Sequence, residues 1–350
     1  MEQKLEFQKN CFDPMRYWAA LSVMLLHYTG YALKLSDSGA DVLHIIRKIV
    51  AFFPGVVILF ALSGFLVSAS FERCKNQKEF FIKRVIRMYP ELWACTIVNL
   101  SVVLILVNKG LDKSILIWLL TQILGIAYTP ACLNTFATGS VNGALWTIFT
   151  EIQLYVVLGI FYNRMKKWGI GKWCVLLLSL AAINILSVNI ATFHNGIDKI
   201  IERSFLPYSI WFFIGVFCYV NRACAIPKLK KAFPILLIVY VLFRELNIKA
   251  PGYYADIIVG ILCPLIVIGG GYLLPSVRIK KDITYGMFLY HWIVLNVIVY
   301  FNLMNKLSWG LCVFLFIGGS LSLAWISNVF VGMKSRRIVD YIVHRRENEK

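Results

Sequence analysis

The chain has 350 residues, of which 59 % are apolar and only 15 % charged, with mean hydropathy +0.71 and net charge +18. A soluble domain carries roughly 25 % charged residues, so this composition excludes a soluble enzyme, a disordered chain and a fibre. The excess of 36 Lys+Arg over 18 Asp+Glu would suggest nucleic acid in a soluble protein. In so apolar a chain it reads as basic loops on the cytoplasmic side of a membrane, with no nucleic-acid partner.

An apolar run of about 20 residues crosses a bilayer core of about 30 Å as a helix. Eleven such runs fall at about 16–35, 50–72, 92–108, 113–129, 144–163, 172–191, 205–221, 233–246, 256–274, 284–303 and 308–331. The polar start MEQKLEFQKN has no apolar core or cleavage site, so no signal peptide is expected. If all eleven cross from an inside N-terminus, 14 Lys+Arg lie inside and 22 outside, against the positive-inside rule. If 113–129 dips in and returns, or lies flat, the count becomes 26 inside and 10 outside. That run is short and ends at Thr129-Pro130, a breaker. The expectation is an all-α polytopic membrane protein. It has about ten transmembrane helices plus one re-entrant or interfacial segment, 113–129, with both termini cytoplasmic. One membrane domain fills 1–350, with no appended soluble domain.

Ionisable residues inside a span are expensive and therefore candidates for function. Taken along the chain, the first span carries Asp13-Pro14-Met15-Arg16 and then His27. Eleven helical steps return Arg16 and His27 to nearly the same face, about 16 Å apart along the axis. The second span holds Ser63-Gly64, small residues that permit close helix approach. The following loop reads Lys83-Arg84-Val85-Ile86-Arg87. Arg84 and Arg87, three apart, share a face on a helix and suit a phosphate. Span four opens with Trp146, a residue of the interfacial belt, and buries Glu151 about two turns in. Span nine carries Tyr290-His291-Trp292. His44 and His194 are read as outer-loop residues and His344 as part of the basic tail. The nine cysteines are scattered through apolar runs without metal-ligand spacing, so no metal site is expected.

In combination these residues resemble the acyltransferase-3 family of integral membrane acyltransferases, over nearly the whole chain. The marks are Asp13-x-x-Arg16-x10-His27, Phe60-x-Leu62-Ser63-Gly64-Phe65-Leu66, Arg84-x-x-Arg87-x-x-Pro90, Leu145-Trp146-Thr147-x-x-x-Glu151-x-x-x-Tyr155 and Tyr285-Gly286-x-x-Leu289-Tyr290-His291-Trp292. Pro14 stands where the family usually has glycine, which a helix start tolerates. The resemblance implies ten spans and cytoplasmic ends. It also implies transfer of an acyl group, usually acetyl, from cytoplasmic acyl-CoA to a hydroxyl of a cell-surface polysaccharide, exopolysaccharide or lipid-linked glycan. A bacterial inner membrane suits this topology.

On that reading Arg84, Arg87 and Lys83 hold the phosphates of acetyl-CoA, the acyl donor, and Arg16 guides its pantetheine arm. His27 acts as general base or as nucleophile. Glu151 orients His27 or binds acceptor hydroxyls. Trp146, Ser63, Tyr290 and His291 are candidates for lining the acceptor cavity, the last two also for oxyanion stabilisation. A thioester is already activated, so no metal is required. The rival reading is a secondary transporter or flippase of a glycan or small anion. That class predicts inverted-repeat symmetry, and no repeat is evident in the sequence.

Overall fold

The computed structural model describes residues 9–107, 112–191 and 196–345, except the side chains at 336, 340 and 342–345. His194 and the His344 side chain lie outside the described residues. Among those described, the chain is all helix and turn, without a strand. The first half runs α1 (Phe12–Leu35), α2 (Ala40–Phe52), α3 (Gly55–Glu72), α4 (Gln77–Val107), α5 (Lys113–Ile123), α6 (Leu145–Met165) and α7 (Ile170–Ala191). The second half runs α8 (Ile197–Arg203), α9 (Ser209–Val220), α10 (Arg222–Glu245), α11 (Ile257–Leu273), α12 (Thr284–Tyr300), α13 (Leu303–Lys306), α14 (Trp309–Ser327) and α15 (Met333–Arg345). A π-helical turn, Asn328–Gly332, joins the last two.

Among the described residues, five helical stretches are long and apolar enough to cross a membrane: Ala40–Glu72, Gln77–Val107, Leu145–Met165, Ile170–Ala191 and Trp309–Val339. The pair Ile197–Arg203 and Leu206–Val220, bent by 48°, makes a sixth if taken as one span. The helices extend beyond the apolar runs that reveal them. Residues 40–49, read as outer loop, are helical, so His44 is an exposed residue of α2. The Lys83–Pro90 segment, read as loop, is the first half of α4, with Pro90 inside the helix. Residues 222–232 likewise belong to α10. A hydropathy run marks only the part of a helix suited to hydrocarbon, and amphipathic turns carry the helix further.

The fourth apolar run forms an eleven-residue helix, α5, about half the length a span needs. Asp112 caps it, its carboxylate accepting from Ile115 N at 2.9 Å. Gly125, with φ +79°, turns the chain just after it. The following irregular segment buries Leu133, Phe136 and Val141 against Val103, Ile115 and Trp118.

The chain divides into two compact units. The first comprises 1–22, 51–77 and 150–280. Its centre is the crossing of α3 and α9, where backbones touch. A Cβ on Gly64 would fall on the Phe212 carbonyl oxygen, and one on Gly215 on that of Ala61. The close approach expected at Ser63-Gly64 therefore belongs to Gly64. Gly271 of α11 similarly admits the Phe12 ring. Asp13, in the first turn of α1, accepts from Ile279 N at 3.0 Å. Glu72, at the end of α3, accepts from Tyr162 at 2.9 Å and Tyr219 at 2.8 Å and pairs with Arg222 at 3.2 Å. The ends of α3, α6, α9 and α10 are thereby tied to one carboxylate.

The second unit comprises 23–50, 78–149 and 281–350. Here α12 packs on α14, where Gly286 lies against Ala324. The loop before α6 is fastened to α12 by side chains. Asn296 donates to the carbonyls of Ser140 and Val141, both at 2.9 Å, and accepts from Thr138 Oγ1 at 2.7 Å. Asn142 donates to the Leu289 carbonyl at 3.2 Å. The two Asn296 donations satisfy backbone carbonyls of an irregular segment outside any helix, which a segment buried among apolar helices requires.

Candidate active site

The two histidines singled out from the sequence meet in the second unit. His27, on α1, and His291, on α12, are 264 positions apart, and His27 Nδ1 lies 2.9 Å from His291 Nε2. His291 is fully buried. Its other ring nitrogen, Nδ1, is 3.2 Å from the Met287 carbonyl oxygen one turn back on α12. Phe288 and Phe316 wall the His291 ring at centroid distances of 5.8 and 6.5 Å.

Trp292 sets the other side of the pair. Its ring stands edge-on to His27 at 4.7 Å. The indole N–H donates to the Ser140 carbonyl at 3.0 Å and to Thr138 Oγ1 at 3.1 Å. Gly143 makes room, since a Cβ there would fall on the Trp292 ring. Tyr31, one turn beyond His27 on α1, donates to the Thr138 carbonyl at 3.1 Å. The irregular loop thus holds the indole that holds His27. Tyr290 is buried on α12 beside His291 in sequence.

Arg47 escapes the sequence reading. It projects from α2 to donate from Nη1 to the Leu26 carbonyl at 3.2 Å, one residue from His27. The reading took 36–49 as a loop, and a lone arginine there carried no signal. Ion pairing at the basic segment was also missed. Lys83 is bound to Glu79 at 2.6 Å, one turn back on α4, with both side chains largely buried. The Arg84 guanidinium stacks 5.7 Å over the Phe80 ring, and Arg87 is exposed. Their spacing on α4 places them on one helical face.

In the first unit, Glu151 Oε1 accepts from Ser63 Oγ at 2.5 Å and from the Tyr155 hydroxyl. Ser63 Oγ and Tyr155 OH are themselves 3.0 Å apart. Glu151 and Tyr155 are four apart on α6, so helix geometry alone juxtaposes them, and α3 brings Ser63. Glu151 therefore has hydroxyl partners of its own, while the hydrogen-bond partner of the His27 ring is His291. Arg16 lies half-buried in the first turns of α1, and Trp146 is half-buried at the start of α6. Among the described residues no group of three or more His, Cys, Asp or Glu could hold a metal ion.

Residues 9–329 match the family model described as "Acyltransferase domain". The chain is 28 % identical over 328 residues to a protein named "Nodulation protein 10" from Rhizobium leguminosarum bv. viciae, covering 83 % of this chain and 84 % of that one. It is 28 % identical over 195 residues to an "O-acetyl transferase" of Shigella phage Sf6, covering 52 % and 55 % of the two chains. No solved structure matches. An all-helical chain with several membrane-length helices, matched by this family over nearly all its residues, belongs to the acyltransferase-3 family and is an acyltransferase.

Proposed function

We propose that this chain is a membrane O-acyltransferase that moves an acetyl or other short acyl group from cytoplasmic acyl-CoA to a hydroxyl of a cell-surface polysaccharide or lipid-linked glycan. The observation that carries the reading is the hydrogen-bonded pair of His27 and His291, a base already paired in apolar surroundings. On this reading one domain of about ten spans fills the chain, with 113–129 not crossing. Both termini face the cytoplasm of a bacterial inner membrane. The basic count of 26 inside against 10 outside supports that orientation.

Arg84 and Arg87 offer a planar, permanently charged fork on one helical face, the chemistry that binds phosphate and pyrophosphate. Lys83 is committed to Glu79 and plays at most a secondary part. When bound, acyl-CoA supplies a thioester, a carbonyl activated for acyl transfer. Arg16 guides the donor. His27 takes the proton of the acceptor hydroxyl as general base, a role worth about 10²–10⁴ in rate. Glu151, with Ser63 and Tyr155, forms a hydrogen-bonding group that suits sugar hydroxyls, and Trp146 and Tyr290 contribute aromatic surface for the acceptor.

The test follows radiolabel from acetyl-CoA into glycan in membranes from producing cells, comparing wild type with His27→Ala at matched protein level. Incorporation by wild type and its loss in the variant is the expected result. Equal incorporation would remove His27 from the chemistry.

A further inference from the structure

We infer that His291 is a positioning residue: a hydrogen-bond chain from the Met287 carbonyl through His291 fixes His27 with its hydrogen on Nδ1 and a bare lone pair on Nε2. The catalytic half of this inference rests on the proposed acyl transfer; the assignment of hydrogens does not.

The argument runs outward from the carbonyl. A carbonyl oxygen only accepts, so His291 Nδ1, 3.2 Å from Met287 O, carries a hydrogen. A neutral imidazole has one N–H, so Nε2 of His291 is bare and accepts. His27 Nδ1, 2.9 Å away, therefore donates to it, and the lone pair of His27 is left on Nε2. The ring geometry agrees. The two planes lie within 6° of each other with centroids 5.2 Å apart. That separation leaves about one ring radius on each side of the N···N contact, so the rings lie end to end in one plane, not face to face. The contact then follows the in-plane N–H and lone-pair directions, which a hydrogen bond prefers.

Each link has a structural cause. His291 and Met287 are one turn apart, so α12 itself sets the first bond. The second depends on α1 holding His27 in line, and the Trp292 edge at 4.7 Å restrains that ring. Which nitrogen of a histidine reacts is set by the hydrogen bond the other makes. With Nε2 bare, the acceptor O–H bond breaks and its proton forms an N–H bond at His27 Nε2. The electron pair left on oxygen forms the new C–O bond to the thioester carbonyl. The C–S bond breaks, its pair goes to sulfur, and the leaving thiolate takes the proton from Nε2. His27 is restored, and His291 keeps its own hydrogen throughout. The opposite tautomer would present N–H to the acceptor and could not begin this sequence.

The experiment is ring-nitrogen NMR on the full-length protein in lipid nanodiscs, with 15N-labelled histidine. Five histidines give few signals, and His27→Asn and His291→Gln assign the two of interest. Expected is a His27 that is protonated at Nδ1 and bare at Nε2. A His27 protonated at Nε2 overturns the inference, whether or not the protein transfers acyl groups. The second arm compares His291→Gln, whose amide oxygen can accept from His27 Nδ1, with His291→Phe, which cannot. Glutamine should retain turnover within about tenfold, and phenylalanine should lose more than about 100-fold, with the acyl-CoA KM unchanged in both. Equal turnover in the two variants overturns the positioning role. If neither wild type nor variants transfer label while His27 keeps its tautomer, the acyl-transfer reading fails and the hydrogen assignment stands.

Discussion

Gly30 of α1 and Arg47 of α2 are fitted to one another: a Cβ on Gly30 would lie 3.1 Å from the Arg47 Nη1 that donates to the Leu26 carbonyl. Glycine inside a helix costs about 1 kcal/mol relative to alanine. Here the missing side chain lets a guanidinium reach the α1 backbone next to His27. Arg47→Ala and Gly30→Val should each slow acyl transfer about three- to tenfold. Their effects should not add, because both remove one contact. Turnover of the two single variants and the double variant at matched protein level checks this. Additive losses would separate the two residues.

The α3–α9 crossing makes a prediction about folding rather than chemistry. The Cβ of Gly64→Ala would meet the Phe212 carbonyl oxygen, and that of Gly215→Ala the Ala61 carbonyl oxygen. A backbone atom cannot swing aside as a side-chain tip can. Each substitution should destabilise the protein by about 1–3 kcal/mol. Ser63→Ala, at the neighbouring position, should lower the melting temperature much less. Thermal unfolding in detergent gives the ranking.

At the basic segment of α4, the arginine pair and the lysine should contribute differently to donor binding. Arg84→Ala and Arg87→Ala together should raise the acyl-CoA KM at least about tenfold, since charge-assisted bonds to phosphate contribute about 1.5–3 kcal/mol each. Lys83→Ala should change it less than about twofold, because that ammonium already serves Glu79 at 2.6 Å. A lysine variant as damaged as the arginine pair would refute the distinction.

For Glu151 the informative comparison is glutamine against alanine. Both Ser63 and Tyr155 donate to Oε1. Glu151→Gln keeps an acceptor oxygen there while losing the charge. It should melt within a few degrees of wild type yet transfer acyl groups more slowly. Glu151→Ala leaves two hydroxyls without their acceptor and should cost about 1–3 kcal/mol in stability as well. Full activity in the glutamine variant would reduce Glu151 to a packing contact.

The arrangement of spans can be checked at the segment before α6. Thr135 is exposed and is expected on the outer face. In a variant with the exposed Cys174 and Cys224 replaced by serine, Thr135→Cys should react with an impermeant thiol reagent in intact cells. Reaction only after permeabilisation would overturn the orientation.

Much of this was legible in the sequence because the signal is local. Apolar runs mark the helices, and His27, Glu151 and His291 stand out because ionisable residues are costly there. Gly64 likewise announced a close crossing. The partners were not legible. Nothing in the sequence joins His27 to His291 across 264 residues, or Ser63 to Glu151 across 88. The Lys83–Pro90 segment reads as loop, yet α4 runs through it with Pro90 inside the helix. Arg47 and Glu79 carry no signal in the sequence, and their contacts with Leu26 and Lys83 follow from the helices that bear them. The loop from Thr138 to Gly143 has no motif at all; its role comes from its contacts with Tyr31, Leu289, Trp292 and Asn296.

That loop also imposes an order in time. The carbonyls of Ser140 and Val141 are made some 155 residues before Asn296, and Ser140 152 residues before Trp292, their side-chain donors. At synthesis rates of about 5–20 residues per second, that gap lasts roughly 8–30 s. Until α12 emerges, the Ser140 carbonyl has the Thr138 hydroxyl, 3.0 Å away, but neither Trp292 nor Asn296, so the segment takes its final place late, after helices encoded far downstream. A chain halted at Lys281 should therefore leave Thr138→Cys open to aqueous thiol reagents, and the completed chain should protect it.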